Sequence, residues 1–135
     1  MVHELTVYKL GNLLSEISNK YNVSLLVKRK LSGGFITITG KVEVDYAPTD
    51  EKTLKGNNII GLKVKNDGGQ MDLKITGIKD TLFKVEVSPT KFKDFNIGGL
   101  SIYKIQESKE ECKVRIDEDL IFTVPAPSEV IEKLI

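Results

Sequence analysis

Residues 36–45, ITITGKVEVD, decide the fold class because apolar and polar side chains alternate there without a break. A period of two places successive side chains on opposite faces of a β-strand. One face takes Ile36, Ile38, Gly40, Val42 and Val44, and the other takes Thr37, Thr39, Lys41, Glu43 and Asp45. A strand with one wet face is typical of an antiparallel sheet, since parallel strands are usually buried on both faces.

Shorter alternating segments lie on both sides of this strand. They occupy residues 23–27, 60–64, 71–75, 83–87, about 100–106, 111–116 and 120–124. The segment 66–69, NDGG, joins two of them, and an Asp-Gly pair between alternating runs is a strong hairpin signal. We expect a loop at residues 46–57 and an irregular segment at residues 91–99, because both are interrupted by glycine, proline or charged residues.

Helical periodicity appears only at the two ends of the chain. Apolar residues recur with helical spacing at Val7, Leu10, Leu14, Ile17 and Tyr21. Thr6 is the expected N-cap, Asn22 is expected to close the last turn, and Gly11 indicates close packing of this helix on the sheet. A short second helix is expected from Ser128, as its cap, through Ile135.

These elements predict a single β-rich domain over residues 1–135. The fold class is mainly β (α+β): an antiparallel β-sandwich or small barrel of about eight strands, with an N-terminal amphipathic helix and a short C-terminal helix. A chain of 135 residues has the usual length of one domain. The βαβ alternation of a nucleotide-binding fold is absent from the sequence.

The composition of the chain limits the cellular compartments and the binding partners that we expect. The net charge is +1, so the chain as a whole has no strong attraction to nucleic acid or to an anionic membrane. Cys112 is the only cysteine, no apolar segment approaches the roughly 20 residues of a membrane span, and no leader-like segment is seen. We therefore expect a cytoplasmic protein with no membrane partner. Scarce Gln, Cys and His beside abundant Lys, Glu and Ile suit a thermophilic source or an AT-rich genome.

No catalytic or cofactor motif is present, and the domain is predicted not to be an enzyme. Nucleophilic catalysis needs a nucleophile and a base held together. His3 is the only histidine and lies at the very start of the chain, where catalytic bases are rare. Cys112 alternates with Val114 and Ile116, which predicts a buried, inert thiol. We expect no cofactor and no metal.

A cluster of carboxylates leaves one enzymatic function to consider, which we rank third after the two binding functions described below. Asp117, Glu118 and Asp119 are consecutive, with Glu107, Glu110 and Glu111 nearby. Such a cluster binds a divalent cation only when the chain folds around it. A solvated turn that protects a sheet edge is the favoured interpretation, and a carboxylate-dependent metal enzyme is the lesser one.

Charge segregation carries the functional hypothesis. Residues 1–41 have a balance of +4 and residues 52–93 of +5, whereas residues 107–135 have a balance of −4. Lys28, Arg29 and Lys30 lead directly into a Ser-Gly-Gly turn and then Phe35, on the polar side of the strand that also holds Lys41. Basic groups can hold phosphates while an aromatic ring stacks on a base.

Two functions therefore compete as non-enzymatic binding modules. In the first, Lys28, Arg29, Lys30, Phe35 and Lys41 bind single-stranded nucleic acid. In the second, the bipolar charge layout and an exposed strand edge serve contacts with a protein partner or a second copy of the chain. A continuous positive surface that includes Lys28, Arg29 and Lys41 would favour nucleic acid, and opposite charged faces would favour assembly.

Overall fold

The computed structural model describes residues 5–31, 34–48, 59–79, 82–88, 95–97, 104–107, 110–117 and 120–134. Within these residues two helices flank nine strands in the chain. In order they are α1 (Val7–Lys20), β1 (Ser24–Leu31), β2 (Gly34–Tyr46), β3 (Ile59–Asn66), β4 (Gly69–Lys79), β5 (Leu82–Ser88), β6 (Phe95–Ile97), β7 (Lys104–Glu107), β8 (Cys112–Asp117), β9 (Leu120–Val124) and α2 (Ser128–Leu134). The predicted mainly β fold with a helix at each end is confirmed.

All nine strands belong to one antiparallel sheet with the order β6-β5-β4-β3-β2-β1-β9-β8-β7. Neighbours in the chain are neighbours in the sheet, except for β6 and β7, which stand at its opposite ends. The last strand, β9, pairs with the first, β1. This pairing places the C-terminal strands beside the N-terminal hairpin. The predicted hairpin between β3 and β4 is confirmed, and the Gly68 amide donates to the Asn66 side-chain oxygen at 2.9 Å.

One face of the sheet forms the core. Alternate residues of β1 to β5, β8 and β9 are buried there, and the largest of them include Leu25, Ile60, Leu73 and Phe122. Two helices of 14 and 7 residues are too small to cover a flat sheet of nine strands, which would be about 40 Å wide. Register shifts interrupt the ladders β2–β3, β4–β5 and β8–β9, and such irregularities bend and twist strands.

Helix α1 lies on β2 and β3 with its apolar face toward the core. Leu10, Leu14 and Ile17 are at most 1% exposed, as their spacing predicts. The Thr6 hydroxyl accepts a hydrogen bond from the Lys9 amide at 3.1 Å and so caps the helix. A Cβ atom at Gly11 would lie 2.8 Å from the Ala47 Cβ, and this contact confirms that glycine allows close packing.

The structure differs from the sequence-based expectations at several boundaries. Tyr21, not Asn22, closes α1, because its amide donates to the Ile17 carbonyl at 2.8 Å. Strand β6 (Phe95–Ile97) lies in the segment expected to be irregular; its pairing with β5 supplies a partner that no local pattern reveals. Strand β2 continues to Tyr46, and residues 49–57 of the expected loop lie outside the described residues.

The buried face of α1 gives a first prediction. Leu14→Ala should lower the free energy of unfolding by about 2–5 kcal/mol, because it removes a fully buried side chain and leaves a cavity. Glu16→Ala on the exposed side of the same helix should change it by less than about 0.5 kcal/mol. Urea denaturation of both variants measures the difference. Equal, small effects would show that α1 is not part of the core.

Cys112 gives a second prediction, since its side chain is fully buried beside Val114 and Ile116 on the core face. A buried thiol in apolar surroundings is unreactive. Native protein should therefore react slowly with a thiol-specific disulfide reagent and rapidly once unfolded in guanidinium chloride, as followed by absorbance. Fast labelling of the native protein would contradict the burial of Cys112.

Candidate nucleic-acid interface

The β1–β2 hairpin holds all five residues of the predicted nucleic-acid site. Its register pairs Lys28 with Thr37, Lys30 with Phe35, and Ser24 with Lys41. Residues directly opposite each other share a face, and residues two apart share it along a strand. The main chain therefore places Lys28, Lys30, Phe35 and Lys41 in one register set, and its described members Lys28 and Lys41 lie on the outer face of the sheet.

Arg29 belongs to the other register set, in which it is paired with Ile36, two residues from the buried pair of Val27 and Ile38. The three consecutive basic residues are thus divided between the two faces by the period of the strand. Of the five predicted residues, the side chains of Lys28 and Lys41 are described, and both are exposed. Those of Arg29, Lys30 and Phe35 lie outside the described side chains.

Strand β8 brings further cations to the same face. A continuous register row runs from Lys113 through Thr123 and Ser24 to Lys41. The next row joins Arg115, Ile121, Leu26 and Thr39. With strands about 4.8 Å apart, Lys113 and Lys41 lie roughly 14 Å from each other across this row.

We define the cationic surface as the outer face of β8, β9, β1 and the paired part of β2, residues 34–41. Its described basic side chains are Lys28, Lys41, Lys113 and Arg115. No described carboxylate lies on these rows, and four hydroxyl groups share the face with the cations: Ser24, Thr37, Thr39 and Thr123. Two apolar residues, Leu26 and the buried Ile121, separate Arg115 from Thr39. Cations among hydrogen-bonding hydroxyls suit a phosphate backbone, which is bound by both kinds of group.

The other half of the outer face has a different electrostatic character. There, lysine and carboxylate side chains pair across or along strands β2, β3 and β5. The nitrogen–oxygen distances are 3.5 Å for Lys63–Asp45, 2.9 Å for Lys65–Glu43 and 3.6 Å for Lys84–Glu86. These exposed pairs contribute little to stability. Their effect is to neutralise this half, so positive charge is concentrated on the cationic surface.

Glu43 stands at the boundary between the two halves. The hydrogen bond and the charge of Lys65 hold the pKa of its carboxyl below the usual value, with smaller contributions from Lys63 and Lys41. Lys41 and Lys65 are directly opposed in the register, and Glu43 lies beside both. The carboxylate thus offsets the repulsion between two neighbouring ammonium groups.

A second concave surface lies on the neutralised half. A register shift at Asp45 places Tyr46 opposite Gly61, so its ring rests on the glycine and is 45% exposed. A Cβ atom at Gly61 would come within 2.8 Å of three Tyr46 ring carbons. The groove beside the ring has a volume of about 430 Å³ and is lined by Asp45, Asp72, Lys74 and Glu86, among others. Three carboxylates and one ammonium make it a poor site for phosphate.

Only some of the residues considered as metal ligands or catalytic groups lie within the described part of the chain. Among the described residues, no group of three or more His, Cys, Asp or Glu side chains could hold a metal ion. His3, Glu118 and Asp119 lie outside them, as do the side chains of Glu107 and Asp117. No described helix is long and apolar enough to cross a membrane.

The chain matches no protein-family model, no curated protein and no solved structure.

Sequence reasoning missed Lys113 and Arg115. Both lie in the segment with a balance of −4, and only the pairing of β9 with β1 brings them onto the same face of the sheet as Lys41. A local signal did exist, because alternation with Cys112, Val114 and Ile116 predicts that both side chains point away from the core. That alternation does not predict which strands lie next to β8, and so it does not predict which other cations share its outer face.

The Lys65–Glu43 pair gives a third prediction. Lys65→Met should raise the pKa of Glu43, because it removes the main hydrogen bond and charge that lower it. The folded pKa lies below the unfolded one, so the pair stabilises the native state above the unfolded pKa, and this contribution disappears as pH falls through the folded pKa. Carboxyl chemical shifts measured against pH follow the change. Lys74→Met, a matched change on β4, should leave the titration of Glu43 where it was.

Proposed function

We propose that this domain is a non-enzymatic binding module that holds single-stranded nucleic acid across the cationic surface. The observation that carries the proposal is the grouping of Lys28, Lys41, Lys113 and Arg115 in one register set of adjoining strands. Because the net charge of the chain is only +1, a locally positive surface requires that its basic and acidic side chains lie in different places. The single cysteine suits a reducing compartment, so we place this activity in the cytoplasm.

A single strand fits the surface better than a duplex does. The cations project from a sheet face and not from a helix or ribbon shaped for a groove, and sheet faces bind unpaired strands by combining phosphate contacts with base stacking. Phe35 shares its register set with Lys28 and Lys30, and we assign it the stacking role. Lys30 and Arg29 add to the phosphate contacts in this proposal, Lys30 from the outer face and Arg29 from the hairpin's other register set.

The competing functions rest on other parts of the molecule. A carboxylate-dependent metal enzyme would use the acidic turn at residues 117–119, of which no side chain is described. Assembly with a protein partner or a second copy would use an uncovered strand edge, for which the structure offers a specific candidate, argued in the next section. Neither function requires cations grouped on the outer face.

The proposal gives a fourth prediction, tested by fluorescence anisotropy with a labelled oligothymidylate at several salt concentrations. Each phosphate contact on a single strand contributes a slope of about −0.7 to the dependence of log affinity on log salt. The double variant Lys28→Ala, Lys41→Ala should therefore weaken binding and flatten the slope by about 1.4. Phe35→Ala should cost about 1–3 kcal/mol of binding with the slope nearly unchanged, because stacking releases few ions.

A matched control distinguishes this surface from general positive charge. Lys74→Ala with Lys84→Ala removes the same charge from the neutralised half of the outer face and should leave affinity and slope close to those of the wild type. An equal loss in both double variants would show that binding is not confined to the cationic surface. No binding by the wild type at about 50 μM protein in low salt would exclude nucleic-acid binding altogether.

A further inference from the structure

The edge of β2 is covered by β1 along only part of its length. The β1–β2 ladder runs from Leu31–Gly34 to Ser24–Lys41, and the Val42 amide adds one more hydrogen bond, to the Val23 carbonyl at 2.8 Å. Beyond Val42, β2 is paired on its other edge by β3 as far as Tyr46. No described strand lies on the first edge past Val42.

Backbone alternation defines what this edge presents. Alternate residues of an antiparallel strand direct their N–H and C=O groups to the same edge. The Val42 amide points toward β1, so Val44, two residues further along, directs its main-chain groups to the same side, on which no strand of the described residues lies. The register shift at Asp45 and Pro48, which has no N–H, end the regular edge.

Helix α1 turns this edge into a groove. Two cavities of about 420 and 380 Å³ lie between the helix and the residues of β2, and both are lined by Ser15 and Val44. The helix wall is formed by polar side chains: Asn12, Ser15, Ser18 and Asn19. The close contact of Gly11 with Ala47 limits the groove at one end, and the Val42–Val23 hydrogen bond limits it at the other.

We propose that this groove binds an extended peptide segment of a protein partner, which adds to β2 as an antiparallel or parallel strand. An uncovered strand edge facing a helix is chemically suited to a main chain, whose N–H and C=O groups complete the ladder. The regular part of this edge, from Val42 to Val44, spans roughly 7 Å and so offers main-chain hydrogen bonds to about two or three residues of an added strand. This site goes beyond the proposed nucleic-acid function and shares only Lys41 with the cationic surface.

The lining selects the side chains of such a peptide. Residues of the added strand that point toward α1 meet its hydroxyl and amide groups, so small or polar side chains fit there. Val44, Ala47 and Pro48 also line the cavities and provide apolar contacts away from the helix. Serine and asparagine are poor helix formers, and α1 carries four of them along this wall. The core face of α1 is unaffected, because Leu10, Leu14 and Ile17 lie on its other side.

The test begins with a random peptide library displayed on phage and selected on the wild-type domain. The peptide selected most strongly is synthesised, and its affinity is measured by fluorescence anisotropy. Methylation of its backbone nitrogens one at a time should weaken binding at every second residue only, by about tenfold for each hydrogen bond lost. That alternation is specific to strand addition, because only alternate amides face the protein.

Two protein variants locate the site. Ser15→Trp fills the groove at the residue that lines both cavities and should abolish peptide binding. Glu16→Trp adds the same ring one residue further along, on the exposed side of the helix, and should leave affinity within about twofold of the wild type. Circular dichroism confirms that both variants are folded, and unchanged oligothymidylate binding by both keeps this test separate from that of the cationic surface.

Several results would overturn the proposal. They are the absence of any selected peptide, equal binding to the wild type and the folded Ser15→Trp variant, and sensitivity to N-methylation at consecutive residues. Sedimentation of the wild type as a dimer that Ser15→Trp dissociates would assign the groove to a second copy of the chain. If Ser15→Trp does not fold, Ser15→Gln and Asn19→Arg take its place, and the N-methylation pattern decides by itself.

Discussion

The pairing of β1 with β9 is the interaction on which the rest of the structure depends. It joins Ser24–Val27 to Leu120–Thr123 and so connects the N-terminal meander β1–β6 with the C-terminal strands β7–β9. Without it the sheet would be two separate pieces, each with a long uncovered edge. Because the paired residues are about a hundred positions apart in the chain, their pairing has a high loop-closure cost, which the burial of Leu25, Leu120 and Phe122 offsets.

The same pairing creates the proposed nucleic-acid surface. Lys113 and Arg115 come from an acidic part of the chain, and Lys28 and Lys41 come from a basic part. Only in the sheet do they share a face, together with the hydroxyl groups of Ser24, Thr39 and Thr123. Elsewhere on that face the lysines are paired with carboxylates, and such exposed pairs affect the local field more than they affect stability.

Strand β2 has 13 residues and β1, which pairs with one of its edges, has 8. This difference in length creates two further surfaces. The first part of β2 is covered by β1 on one side, whereas its last residues leave an edge that α1 faces across a groove. The register shift at Asp45 then turns Tyr46 onto the outer face, against Gly61. One bulged strand thus presents an uncovered main-chain edge and an exposed aromatic ring within a few residues of each other.

The sequence by itself determined whatever follows from local periodicity. Helical spacing located α1 and its Thr6 cap, the period of two located β2 and the buried Cys112, and the Asp67–Gly68 pair located a hairpin. These features are predictable because each depends on neighbours only a few residues away. The positions of Lys28, Phe35 and Lys41 in one register set were predictable for the same reason.

Tertiary structure alone decided the strand order, the short strand β6 and which side chains lie next to each charged residue. The expectation of a neutral chain with an acidic C-terminal part gave no reason to place Lys113 in the same register row as Lys41. Alternation likewise would put Tyr46 on the core side, together with Val42 and Val44, until the bulge at Asp45 reverses it. Pairing between distant strands and the insertion of one extra residue change which side chains meet, and neither leaves a periodic trace in the sequence.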